Sequence, residues 1–178
     1  MESDSTTKTV RLLKFMRIVS WVIFVGLLIQ TGTYLVKYLL NLAEPDKAIL
    51  TFDRIDVSAI LEYSFMDYSV QVLMAVASFG INALIWYQLI KVFSELDINN
   101  PFGIDLVKKL EMISYILAGS AAISFFYNMH TEIIMLHIDG FYGLEVPNTS
   151  ILIAVVVYII SQIFRRGVEI QNENKLTV

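Results

Sequence analysis

The sequence predicts an all-α membrane protein with four transmembrane helices, arranged as two antiparallel hairpins with both termini on the cytoplasmic side. Three observations carry this reading. Hydrophobic residues make up 56% of the chain and charged residues only 17%, with a mean hydropathy of +0.64, well above a soluble domain. The apolar residues fall into four blocks, about 18–40, 68–93, 106–128 and 150–166, separated by charge and turn formers. Basic residues are distributed unevenly among the gaps. Lys8, Arg11, Lys14, Arg17, Lys91, Lys108, Lys109, Arg165, Arg166 and Lys175 fall on one side, against Lys37, Lys47 and Arg54 on the other. The positive-inside rule places the richer side in the cytoplasm. An even number of spans requires the termini to share a side, so the two arguments agree.

The chain is read as one domain, 1–178. Met1 to Thr7 is polar and is expected to be a disordered tail, and no small-residue cleavage site follows the first apolar block. Lys8, Arg11, Lys14 and Arg17 recur every three residues, a basic lead-in to the first span. Within that span, Gln30-Thr31-Gly32-Thr33 is polar and is expected to face another helix, since lipid cannot satisfy it. The connection 41–67 is the longest and is expected to form an ordered outer cap. Ile49 to Val57 partly alternates as a strand would, while Val57, Ile60, Leu61 and Phe65 have the spacing of a surface helix. In the second span Ser78 and Asn82 lie four apart and should point inward. The third carries Ala118-Gly119-Ser120-Ala121-Ala122 and Ser124, a small-residue face for close helix packing. The fourth is short, and Val146 with snorkelling Arg165 and Arg166 would extend it.

The two halves resemble each other. Leu12 to Trp21 aligns with Leu106 to Tyr115, matching Lys14 to Lys108 and Ser20 to Ser114, each serine followed by an aromatic residue. Tyr87 to Phe93 aligns with Tyr158 to Phe164. The implied architecture is an internal parallel repeat about an axis along the membrane normal.

Catalytic signals are weak. The chain has no cysteine, so thiolate chemistry is excluded. His130 and His137, seven apart with Glu132 nearby, could share a helix face, yet match no metal-ligand spacing. No acidic or basic residue falls in the middle of a span, which weakens a proton-coupled transporter. The serines at depth have no partnering base. The expectation is a protein that is not an enzyme and carries no cofactor or metal.

Two segments on the cytoplasmic side attract attention instead. The elbow 94–105 contains Asn100, Pro101 and Phe102, with Pro101 suited to a first helical position and Asn100 to its cap. The tail 167–178 follows Arg165 and Arg166. Gly167 can end or bend the helix, and Gln171, Leu176 and Val178 belong to a short polar and apolar run. That run could pack on the elbow or serve as a peptide ligand.

Asn100-Pro101-Phe102 with Val107-Lys108-Lys109-Leu110, and the tail from Ile163 through Gly167 and Leu176-Thr177-Val178, resemble the bacterial family catalogued as domain of unknown function 2975. The resemblance covers nearly the whole chain. The tail pattern is its most specific part and the Asn-Pro-Phe turn is moderately specific. Gly103 stands where a serine or other capping residue is expected, leaving the cap to Asn100. The resemblance implies a small four-span protein of the bacterial cytoplasmic (inner) membrane, with no established activity and no catalytic residues to carry over. It also implies, by association, a neighbouring helix-turn-helix regulator. The partners expected are therefore the lipid bilayer, a cytosolic helix-turn-helix regulator and a second copy of the chain, with no direct contact to nucleic acid. The leading expectation is a membrane sensor, regulator or tether. The alternative is a small transporter, channel or immunity-type protein, with Gln30, Thr31, Thr33, Ser78, Asn82, Ser120, Ser124 and Asn128 lining a polar path.

Overall fold

A computed structural model describes residues 2–44, 50–95, 103–149 and 151–176. Four long helices account for most of them: α1 (Glu2–Ala43), α3 (Phe65–Glu95), α4 (Ile104–Met135) and α5 (Ile151–Leu176). A two-stranded hairpin, β1 (Thr51–Phe52) and β2 (Ile55–Asp56), and a short helix, α2 (Ser58–Tyr63), lie between α1 and α3. The four long helices are each long and apolar enough to cross a membrane. At about 1.5 Å per residue, the 26 residues of α5, the shortest of these, still exceed a hydrocarbon core of about 30 Å.

The helix limits differ from the sequence reading at three places. Helix α1 begins at Glu2, so the segment expected to be a disordered tail is helical. Helix α5 is lengthened at its C-terminal end instead of its N-terminal end. Val146 lies in non-helical chain, and the helix continues through Gly167 to Leu176. Gly167 has no left-handed φ, unlike Gly140 and Gly143, so it neither ends nor caps the helix. The outer connection is a strand pair followed by a short helix; Val57 and Ile60 are buried in the core instead of lying along a membrane surface, Phe65 begins α3, and Ile49 lies outside the described residues.

The chain forms two compact units. The first comprises Met1–Val25, Leu84–Ala118 and Ser150–Val178. Its core is Ile85, Val92, Ile113, Leu117 and Ala154, with Leu89, Phe93 and Val157 packed around it. The second comprises Gly26–Ala83 and Gly119–Thr149. Its core is larger and richer in aromatics: Tyr34, Phe52, Tyr68, Phe79, Tyr127 and Phe141 join Val57, Ile60, Val72 and Ile134.

In the second unit the β hairpin is latched to α1. Thr51 pairs with Asp56 and Phe52 with Ile55, which leaves Asp53 and Arg54 as a two-residue loop. Both have positive φ, 45° and 72°, as a type I′ turn requires. Tyr34 donates a hydrogen bond to Asp53 (2.9 Å), and Gln30 donates to the same carboxylate. Lys37 donates to the Thr51 carbonyl (2.8 Å) and lies over the Phe52 ring. The polar run in α1 faces α3 in part, since a Cβ on Gly80 would meet Thr31 Cγ2 at 3.9 Å, but its polar groups find other partners. Gln30 reaches the hairpin, while Thr31 and Thr33 donate to the carbonyls of Leu27 and Ile29 in their own helix. A hydroxyl in a helix can donate to the carbonyl one turn back, so the hydroxyl protons do not depend on the facing helix.

Candidate functional site

The first unit holds the residues that the sequence singled out at the start of α4 and the end of α5. Asn100, Pro101, Phe102 and Val178 lie outside the described residues. Helix α4 starts at Ile104, and the Gly103 carbonyl accepts from the amides of Leu106 and Val107. Gly103 therefore occupies the position before the helix, where a side-chain cap would be expected.

Arg165 is more than an interfacial anchor. Its guanidinium donates to Glu111 at 2.5 Å, and Gln162 donates to the same oxygen at 2.9 Å. The Glu111 side chain is 15% exposed and that of Arg165 44%, so the charge-assisted bond ties α5 to a sheltered carboxylate on α4 while the guanidinium still reaches solvent. Arg166 bonds Glu169 within the helix, at 75% and 47% exposure, a pair of little energetic weight. Beyond Gly167, Val168 is buried while Ile170 is exposed. Gln171 is half-buried, and Leu176 is the last residue of α5. The described part of the tail is therefore helical, with Val168 packed and Ile170 open, rather than a loose peptide.

The second unit contains a connected set of polar groups that the sequence did not assemble. Gln71 on α3 is 1% exposed. Its amide nitrogen donates to Tyr127 and Thr131 on α4, both at 2.8 Å. Tyr127 spends its own proton on the Leu144 carbonyl, and Thr131 spends its own on the Tyr127 carbonyl. Both hydroxyls must then accept from Gln71, which fixes its amide orientation and turns its oxygen towards His130 Nδ1 at 3.0 Å. Since an amide oxygen can only accept, His130 Nδ1 carries a hydrogen. The other ring nitrogen faces the Asp67 carboxylate at 3.2 Å.

His137 takes no part. It follows the end of α4, bonds the Ile133 carbonyl and stacks near Tyr63, while Glu132 is exposed. The two histidines do not share a site, because α4 stops at Met135 before its periodicity reaches the second one. The real partners of His130 come from α3. Asp67 and Gln71 are one turn apart, and that i,i+4 spacing was the available signal.

A second polar set holds the non-helical segment 141–149. The Pro147 carbonyl accepts from Ser78 at 3.2 Å and from Ser124 at 3.4 Å. Asn82 donates to Ser120, and Ser120 bonds Thr149 at 2.9 Å. Ser78 and Asn82 do point inward, as their spacing predicts. Irregular backbone packed inside the protein needs partners from it, and these side chains supply them. Among the described residues no buried side-chain nitrogen or oxygen lacks a partner. The inward-facing groups that a polar path would need are consumed in binding this segment, and Asn128 is exposed.

Residues 51–178 match the family model described as protein of unknown function DUF2975. No curated protein and no solved structure matches the chain. With most of its length covered, the chain belongs to the DUF2975 family.

Proposed function

We propose that this member of an uncharacterised membrane family is a non-enzymatic regulator or tether in the bacterial cytoplasmic membrane. In this reading its helices form two antiparallel hairpins, related as a parallel repeat, with both termini in the cytoplasm. The partner is a cytosolic protein of the helix-turn-helix type, held by the end of α5. The observation that supports the reading is the course of that helix. Its apolar run ends near Phe164, yet it continues for three turns to Leu176, with Val168 buried and Ile170 exposed. A helix with a single packed face presents its other face to a partner.

The test keeps the packed face intact. An Ile170→Glu, Arg166→Glu double variant is compared with the unaltered protein by crosslinking and pull-down from native membranes and by transcript profiling. Loss of a captured partner together with a changed transcript profile supports the reading. An unchanged partner set and an unchanged profile would sink it.

A further inference from the structure

We propose that the second unit carries a proton switch. The His130 imidazole, set between Asp67 and Gln71 of α3, holds segment 141–149 in place when the ring is charged and loosens it when the ring is neutral.

Two acceptors flank the ring. Its Nδ1 lies 3.0 Å from the Gln71 amide oxygen, and its Nε2 lies 3.2 Å from the Asp67 carboxylate. A neutral imidazole has one ring N–H and an imidazolium has two, so only the charged ring donates to both. The neutral ring must turn a lone pair to one of them. With the hydrogen on Nδ1, that acceptor is the Asp67 carboxylate. With the hydrogen on Nε2, it is the Gln71 oxygen. Turning the Gln71 amide over would relieve the second conflict, but its nitrogen already donates to Tyr127 and Thr131, both at 2.8 Å. Gln71 is 1% exposed, so bulk water cannot replace those donors.

A histidine beside a carboxylate is common. Here the second acceptor is a buried amide, and the bonds beyond it reach irregular backbone. The Tyr127 hydroxyl accepts from the Leu144 amide at 2.6 Å and donates to the Leu144 carbonyl at 2.8 Å. Gly143 packs on the same groups, since a Cβ there would lie 3.2 Å from the Gln71 amide nitrogen. The amide that the ring orients therefore pins the segment. Protons reach the pair from solvent, because the His130 and Asp67 side chains are 20% and 34% exposed. The titratable groups around the ring are Asp67 from α3, Tyr127 from α4, and His137, which follows α4, stacks near Tyr63 and is close enough for its charge to act on Asp67. Glu62 on α2, Glu132 on α4 and Glu145 on the segment are exposed. Since the fully bonded set needs the charged ring, it is favoured at acid pH and weakens as pH rises through the titration of the imidazole. The tethering role of α5 does not enter.

Hydrogen exchange of the full-length protein in detergent, read by mass spectrometry on peptides covering 141–149 and corrected for the intrinsic rate at each pH, tests the switch. Protection of the segment should fall about tenfold between about pH 5.5 and 8.5, the effect of one lost charge-assisted hydrogen bond. Asp67→Asn is the discriminating variant. Its amide can donate to Nε2 of a neutral ring that keeps its hydrogen on Nδ1, so the segment should stay protected at both pH values. His137→Gln should retain the step. A wild-type protein with no step, a step that survives Asp67→Asn, or a step abolished by His137→Gln would each overturn the proposal.

Discussion

The two units solve the same problem in opposite ways. In the second, polar side chains lie inside and bind one another, together with a stretch of irregular chain. Gln71, Tyr127, Thr131 and His130 form one set, and Ser78, Asn82, Ser120, Ser124 and Thr149 form the other. In the first, the core is aliphatic, and its prominent polar contact is a half-buried ion pair. The difference follows from secondary structure. Where four helices supply the wall, backbone groups satisfy themselves and side chains can be apolar. Where residues 141–149 replace a helix, backbone carbonyls such as those of Leu144 and Pro147 need donors, and neighbouring helices provide them.

The largest expected effect falls on Gly143. Its φ is +77°, and a Cβ there would lie 2.6 Å from Thr131 Cγ2 and 3.2 Å from the Gln71 amide nitrogen. Gly143→Ala combines backbone strain with displacement of the polar set and should cost about 3 kcal/mol or more. Thermal unfolding in detergent measures it. A neutral result would show that segment 141–149 is not held as described.

Gln71→Leu comes next. It leaves buried hydroxyls and an imidazole hydrogen without their partner and should cost about 2 kcal/mol. In the first unit, Glu111→Gln keeps an acceptor for Gln162 and Arg165 and removes only the charge, so about 1 kcal/mol is expected. If Glu111→Gln were the more damaging of the two, the contrast between the units would be reversed. Arg54→Gly acts in the favourable direction. A non-glycine residue at φ 72° is unfavourable, and an Asp-Gly loop is preferred at this turn, so about 1 kcal/mol of stabilisation is expected.

The smallest effect concerns Asp56. The Ser58 amide donates to its carboxylate at 2.9 Å, and this bond lowers its pKa below the ordinary 3.8. A group depressed on folding contributes stability that is present above the unfolded value and is lost as pH falls through the folded one. Asp56→Ala should therefore lower the unfolding temperature slightly at pH 6, and the difference should shrink as the pH falls below the ordinary carboxylate range. A constant difference across that range would assign the effect to something other than the charge.

Much of the architecture was legible from hydropathy, because crossing a membrane demands long uninterrupted apolar runs wherever their neighbours lie. The four long apolar helices and the inward serines of α3 and α4 could be read this way, whereas the family was read from the Asn-Pro-Phe turn and the tail motif. The candidate site was legible only in part. Arg165 and Arg166 look alike in sequence, yet only Arg165 reaches a sheltered carboxylate. That distinction depends on the azimuth of α5 against α4, which hydropathy does not encode.

The sequence by itself determined that four helices form and what family they make. The helices rest on composition within short windows, and the family on short motifs at the turn before α4 and in the tail. Tertiary structure alone decided that Gln71 fixes His130, that Pro147 recruits Ser78 and Ser124, and that α5 runs on to Leu176. Each depends on partners dozens of residues away, or on a packed face that draws the helix past its apolar stretch. A hydrogen bond between distant residues is set by where both chains have been placed, and no local pattern specifies that.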